Sequence, residues 1–232
     1  MQWQLSGVNV FVITDIESTS KFPLNAEILT VDFIVLDESL NEIDKAGFKI
    51  RPRIWNKDAE EASKIHGITR EEAYTYPPYE VAVRNMFKWL LKYNGHLVLH
   101  ANRQFNSSYD AVLLRSHALY VGVYFELGLS FPERKYISTH SLSKFLNIGV
   151  ENNRLDTLCK YFNIKQSNHH NSEDDVKVTS QLFKILWPQI DTNKFFEYER
   201  REDGQSSEST KSGKVPRRQN SKTINNRPVF NG

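Results

Sequence analysis

The chain holds a single cysteine, Cys159, in 232 residues. That excludes an internal disulfide, a multi-cysteine zinc site and a redox Cys-x-x-Cys pair, and it points to a reducing, cytoplasmic setting. Ten glycines and eight prolines are too few for a collagen-like or low-complexity chain. No window reaches the roughly 18 uninterrupted apolar residues that a membrane span needs. The start, Met1-Gln2-Trp3-Gln4-Leu5, lacks a basic stretch leading into an apolar run. The expectation is a soluble protein with no recognisable targeting segment and no membrane partner. What the chain does have, 39% hydrophobic, 12% aromatic and 25% charged side chains, suffices for one ordinary globular core.

Charge is unevenly spread. From Asn193 onward nine Lys/Arg face five Asp/Glu, a net of +4, which leaves −2 of the total +2 for residues 1–192. Beyond Phe196 the sequence is polar, without apolar periodicity, and cannot offset its ordering entropy by burial. The organisation expected is a body over 1–192 and a flexible basic tail over 193–232. Lys211 to Arg227 carries six bases and no acid, as a solvated terminus or an electrostatic arm for nucleic acid would.

Within the body, Val10-Phe11-Val12-Ile13 and the β-branched stretch Ile28 to Leu36 read as neighbouring strands, and 45–51 as a third, stopped by Pro52. A helix is expected over Asp58 to Lys64, broken by Gly67, with Thr69 and Glu72 forming a capping box for the next turn. Pro77-Pro78 opens an amphipathic helix with Val83, Met86, Phe87, Leu90 and Leu91 on one stripe, ending at Gly95. Leu97-Val98-Leu99 is a buried strand. Helical stripes recur over Ala111 to Leu119, over Leu155 to Phe162, and over Thr179 to Leu186, where Pro188 stops the last helix. This alternation gives an α/β domain with a mixed sheet covered by helices.

Three polar clusters carry candidate chemistry. The first strand runs into Thr14-Asp15-Ile16-Glu17-Ser18-Thr19, and residues two apart on a strand share a face, so Asp15 and Glu17 project together. Two such carboxylates suit a solvated strand end, or a hard divalent cation that relieves their repulsion and desolvation. The second cluster follows the buried strand: His100-Ala101-Asn102, then Tyr109-Asp110 at a helix start, where an acid also complements the helix dipole. The third is His169-His170-Asn171-Ser172-Glu173-Asp174-Asp175. It reads as a loop with helix-capping acids, or as a metal ligand preceded by a titratable base.

In order, Asp15-x-Glu17, His66-Gly67-Ile68-Thr69, Tyr109-Asp110-x-x-Leu113-Leu114 and His170-x-Ser172-x-x-Asp175-Val176-x-x-Thr179 resemble the DEDDh group of 3′–5′ exonucleases. This group belongs to the ribonuclease-H-like superfamily and includes proofreading subunits of bacterial replicative polymerases. The resemblance covers roughly residues 8–187. It implies a mixed five-stranded sheet flanked by helices, and two Mg²⁺ or Mn²⁺ ions held by Asp15, Glu17, Asp110 and Asp175. It further implies His170 as the general base for the attacking water, with release of 5′-mononucleotides. Two ions about 3.5–4 Å apart can serve the attacking and the leaving oxygen of an in-line displacement.

The resemblance also selects among registers. Val176 and Thr179 favour Asp175 over Asp174, and the interval then favours His170 over His169. In the second motif Asn106 lies at the usual distance after His100, whereas Asp110 needs an insertion but restores the acid; Asp110 is preferred. The implied substrate contacts are Ser18, Thr19, Phe22, His66 and Asn102. The family's Thr-Thr-Gly-Leu appears as Ser18-Thr19-Ser20-Lys21, so Phe22 would replace the apolar wedge by stacking on the terminal base. The implied partners are 3′ ends of single-stranded DNA, with RNA as the alternative, and a DNA polymerase. A non-catalytic nucleic-acid-binding module on the same fold is the alternative of a different class.

Overall fold

The computed structural model describes residues 10–93, 95–101, 108–123, 136–166 and 170–209. Five strands form one sheet: β1 (Val10–Ser18), β2 (Ile28–Leu36), β3 (Glu42–Lys49), β4 (Gly95–Leu99) and β5 (Tyr136–Ser138), in the order β3-β2-β1-β4-β5. The first three pair antiparallel as a meander, and β4 and β5 add parallel on the far side of β1. The expected mixed five-stranded sheet is what the chain forms.

Alternation along β1 divides the core. Val10, Val12 and Ile16 face one layer, with Val83, Met86, Phe87 and Leu90 of α3 (Tyr79–Leu90) and Leu113, Leu114 and Ala118 of α4 (Tyr109–Tyr120). Phe11 and Ile13 face the other layer. There they meet Leu142 of α5 (Thr139–Phe145), Leu158 and Cys159 of α6 (Leu155–Tyr161), and Val176, Leu182 and Phe183 of α7 (Ser172–Leu186). Each fully buried Leu or Phe contributes about 1.5–3 kcal/mol of transfer free energy. The period-2 pattern thus aims Asp15 and Glu17, which continue the Phe11 and Ile13 face, toward the α7 side.

Punctuation follows local chemistry. Asn56 caps α1 (Lys57–His66) by accepting from Ala59 N–H at 3.1 Å, and Gly67 ends that helix in the left-handed region at φ 77°. Thr69 caps α2 (Arg70–Ala73) through Glu72 N–H, as its spacing suggested. Pro188 falls in a 3-10 turn, Trp187–Gln189, directly after α7.

Several expectations shift. β3 begins at Glu42 and ends at Lys49, earlier than the 45–51 window. α3 stops at Leu90, and Gly95 is the first residue of β4, not a helix terminator. A Cβ at Gly95 would lie 2.0 Å from the Val10 carbonyl oxygen, so this glycine lets β4 approach β1. The tail reading also changes: α8 (Thr192–Ser209) continues past Phe196. Phe195 is fully buried among the α7-side residues, and Phe145 of α5 packs on both Phe195 and Tyr198, at ring separations of 5.6 and 5.5 Å. Three aromatics within four residues anchor the start of this helix without a full apolar stripe. Residues 210–232, with the whole basic run from Lys211 to Arg227, lie outside the described residues.

Candidate metal-binding active site

Asp15 and Glu17 stand in the second half of β1, Asp110 in the first turn of α4 and Asp175 in the first turn of α7. Glu17 is the last residue before a break in the β1–β2 register, where Glu17 pairs with Thr30 but Ser18 pairs with Ile28. Such a bulge re-aims the side chains beside it, and bulges recur next to active sites. One ligand atom each from Glu17, His170 and Asp175 lies within 4.8 Å of the other two. Asp110 stands on the first turn of α4, behind the Ser108 N-cap, whose hydroxyl accepts from Ala111 N–H at 3.3 Å.

The electrostatics place all four acids in one field. Burial holds the Asp15 carboxyl well above the usual carboxylate range, and the charges of Asp110, Glu17 and Asp175 raise it further. Burial pushes Glu17 up to about 8, with Asp175 and Asp110 adding to the effect. Asp110 is pushed up to about 7 by burial alone. Half-buried like-charged groups cost desolvation and mutual repulsion unless protonated or bridged by cations. Carboxylate oxygens suit Mg²⁺ or Mn²⁺, so the four acids fit a hard divalent ion.

The Asp175 limb is held tightly. Its Oδ2 accepts from the His170 backbone N–H at 3.0 Å, and its Oδ1 accepts from Gln166 Nε2 at 2.8 Å. His170 sits at φ 61°, a left-handed conformation costing a non-glycine residue about 1–2 kcal/mol, and its side chain is exposed. The next residue, Asn171, caps α7 by accepting from Glu173 and Asp174 N–H at 3.1 and 3.3 Å. Asp174, the competing register, faces Lys177 at 3.7 Å instead.

The expected substrate contacts divide. Phe22 is 53% exposed, with Lys21 Nζ over its ring at 5.3 Å from the centroid. His66 is half-buried at the end of α1, and its Nδ1 accepts from Ile68 N–H at 3.1 Å. Burial lowers its pKa, and His170 is near enough to lower it further. Ser18 and Thr19 turn inward. Ser18 Oγ lies 2.5 Å from Tyr109 Oη, and Thr19 Oγ1 accepts from Glu27 N–H at 2.9 Å. Both hydroxyls thus brace the loop after β1, and the tyrosine also donates to the Ser20 carbonyl. Asn102 and Asn106 lie outside the described residues. His100 is half-buried, bonds Thr139 Oγ1 through Nδ1 at 2.8 Å, and is lowered to about 4 chiefly by desolvation, a neutral group between β4 and α5.

The roles of three residues at the site escaped the sequence reading. Gln166 carries no signal, being one polar residue in a loop. Tyr109 Oη could be noticed only once its partner loop was known. Asp32 did leave a trace as the lone acid inside the apolar run Ile28 to Leu36. Burial raises its pKa, partly opposed by a hydrogen bond from Ser172.

The chain is similar to known proteins. PolC-type DNA polymerase III of Caldanaerobacter subterraneus is 26% identical over 173 residues, 75% of this chain and 11% of the polymerase. The Listeria monocytogenes protein of the same description is 29% identical over 118 residues, 51% of this chain and 7% of that one. The chain thus spans about a tenth of the length of these relatives. Escherichia coli exonuclease I in complex with a dT13 oligonucleotide superposes with a TM-score of 0.67 at 19% identity, covering 82% of this chain and 43% of that one. Its zinc-bound form in complex with single-stranded DNA gives 0.66 at 20%, covering 82% and 42%. These structures share the fold, which is the ribonuclease-H-like one. Residues 12–183 match the exonuclease family RNase_T, a span running from the middle of β1 almost to the end of α7, and the chain belongs to that family.

Proposed function

We propose that the chain is a metal-dependent 3′–5′ exonuclease that removes 5′-mononucleotides from single-stranded nucleic acid, DNA in preference to RNA. The observation carrying this reading is the meeting of Glu17, His170 and Asp175 ligand atoms within 4.8 Å, with Asp15 and Asp110 in the same electrostatic cluster. Asp15, Glu17, Asp110 and Asp175 would hold two Mg²⁺ or Mn²⁺ ions. Such ions, when bound, stabilise charge on the attacking and leaving oxygens and offset the repulsion between the acids and a phosphodiester.

The chain's own groups do the rest. His170, exposed and tied through its backbone to Asp175, takes the proton from the attacking water. Phe22 offers its exposed ring to the terminal base, a contact worth about 1–3 kcal/mol. His66 flanks His170 and contributes to holding the terminal nucleotide. Tyr109 keeps the Ser18 to Ser20 turn in place beneath it.

The choice of single-stranded DNA draws support from exonuclease I, a fold neighbour solved with dT13 and with single-stranded DNA, and from relatives that are DNA polymerases. The same relatives support a polymerase as partner and proofreading or repair as setting. The lone buried Cys159 suits a cytoplasmic location, and among the described residues no helix is long and apolar enough to cross a membrane. In this reading residues 210–232 are the basic arm that adds salt-sensitive affinity for the strand.

The test is incubation with a 5′-labelled DNA oligonucleotide and its RNA counterpart, with Mn²⁺ or with EDTA. A metal-dependent ladder shortening from the 3′ end, faster on DNA, is expected. No shortening of either strand at any protein concentration would defeat the proposal, and faster loss of RNA would reassign the substrate.

A further inference from the structure

The geometry points to Asp32, acting through Ser172, as a positioning residue that pins the start of α7 to β2 and sets where Asp175 and His170 stand against Asp15 and Glu17. The inference deepens the proposed exonuclease site and rests on it. Two rungs of the sheet matter. Asp15 pairs across strands with Asp32, which pairs with Gly47; Glu17 pairs with Thr30. Directly opposed residues share a face, so Asp32 and Thr30 stand beside the two β1 carboxylates. Ser172, the buried first residue of α7, has its Oγ 2.6 Å from Asp32 Oδ2, to which it donates, and 2.9 Å from Thr30 Oγ1. Asp175 lies three residues further on, and His170 two residues back.

Gly47 completes the device. A Cβ there would lie 2.4 Å from Asp32 Oδ1, so the bare edge-strand position leaves the carboxylate the room it occupies. A half-buried acid next to other acids is costly where a valine would stabilise the strand. That cost is intelligible if the hydrogen bond to Ser172 fixes the Asp175 limb. Partners that orient metal-holding groups typically change metal affinity or activity by about 10–100-fold.

The experiment measures kcat and KM on a single-stranded DNA oligonucleotide with Mn²⁺, and Mn²⁺ affinity by calorimetry, for the full chain and five variants. Asp32→Ala, Ser172→Ala and Gly47→Ala should each lower kcat and Mn²⁺ affinity by roughly ten-fold or more while KM for the oligonucleotide changes little. Asp32→Asn, which keeps an acceptor for Ser172, should retain most activity. In the Asp32→Ala/Gly47→Ala double variant the losses should not add, because both act on one contact. Unchanged kcat and Mn²⁺ affinity in Asp32→Ala would overturn the inference. So would an Asp32→Asn loss equal to that of Asp32→Ala, which would make the charge itself the requirement. If Asp32→Ala does not fold, Asp32→Asn and Gly47→Ala decide alone. Absence of hydrolysis by the wild type would defeat the exonuclease reading, and amide exchange over the first turn of α7 would still judge the pin: faster exchange in Gly47→Ala supports it, unchanged exchange refutes it.

Discussion

The His170 backbone N–H donates to Asp175 Oδ2 across 3.0 Å, a hydrogen bond that ties the loop bearing the imidazole to the helix bearing the carboxylate. Asp175 is thereby committed before any ligand arrives: one oxygen to His170 and the other to Gln166. Each oxygen retains a second lone pair for a cation. The site is prearranged on the α7 side.

Removing the imidazole tests the division of labour. His170→Ala should lower kcat by about 100-fold or more, the usual contribution of a positioned general base, while single-stranded DNA binding measured by fluorescence anisotropy stays near wild type. Equal losses in binding and turnover would instead make His170 a substrate contact.

Gln166 tests the support of the carboxylate. Gln166→Ala should weaken Mn²⁺ binding by about ten-fold in calorimetry without lowering the thermal midpoint of the metal-free protein appreciably. A large drop in that midpoint with unchanged Mn²⁺ affinity would show the amide to be structural.

The acids set a pH dependence with a definite sign. Glu17 and Asp110 are pushed up to about 8 and about 7, from 4.5 and 3.8. Between the lower and upper values the folded, metal-free protein holds protons that the unfolded chain has released. Their contribution to stability is therefore full at acid pH and is lost as pH rises through about 7 to 8. Cations bind the deprotonated ligands and oppose this loss. Saturating Mn²⁺ should raise the melting temperature much more at about pH 8 than at about pH 5, with roughly 2.7 kcal/mol expected at a hundred times the dissociation constant. An equal rise at both pH values would place the binding site elsewhere.

The sheet carries its own test. Gly95→Ala puts a Cβ 2.0 Å from the Val10 carbonyl oxygen, at the first rung of the β1–β4 pair. Something in the backbone must shift, and urea denaturation should show a loss of about 3 kcal/mol or more, in the range of severe core defects. A loss under about 1 kcal/mol would mean that the strands separate there at little cost.

The sequence made the elements with strong periods legible. β1, β2, α3 and the second half of α7 announce themselves by alternation or by helical stripes, and Gly67 and Thr69 mark turns whose chemistry is local. β5 is three residues long, too short for a period, and α5 follows it without a break. α8 was hidden because its order comes from Phe195, Phe196 and Tyr198 docking on the α7-side core, a tertiary gain that the polar residues after them obscure. Gly95 looked like a helix stop because its requirement, close approach to Val10, belongs to a residue 85 positions away.

For the site, the order of acids and histidine was readable in the sequence, and the structure brings ligand atoms of Glu17, His170 and Asp175 within 4.8 Å of one another. What could not be read were the groups that hold those residues: Gln166, Tyr109 and Asp32 act through contacts between distant segments. The partners of the Ser18 and Thr19 hydroxyls, Tyr109 Oη and the Glu27 N–H, became visible only in the fold.

The most direct measurement is a crystal structure grown with saturating Mn²⁺ and a mononucleotide, with diffraction recorded at the manganese absorption edge. The account expects two anomalous peaks among the carboxylates of Asp15, Glu17, Asp110 and Asp175, with the imidazole of His170 beside them. Manganese peaks only at other surface acids, with those four carboxylates bare, would contradict it.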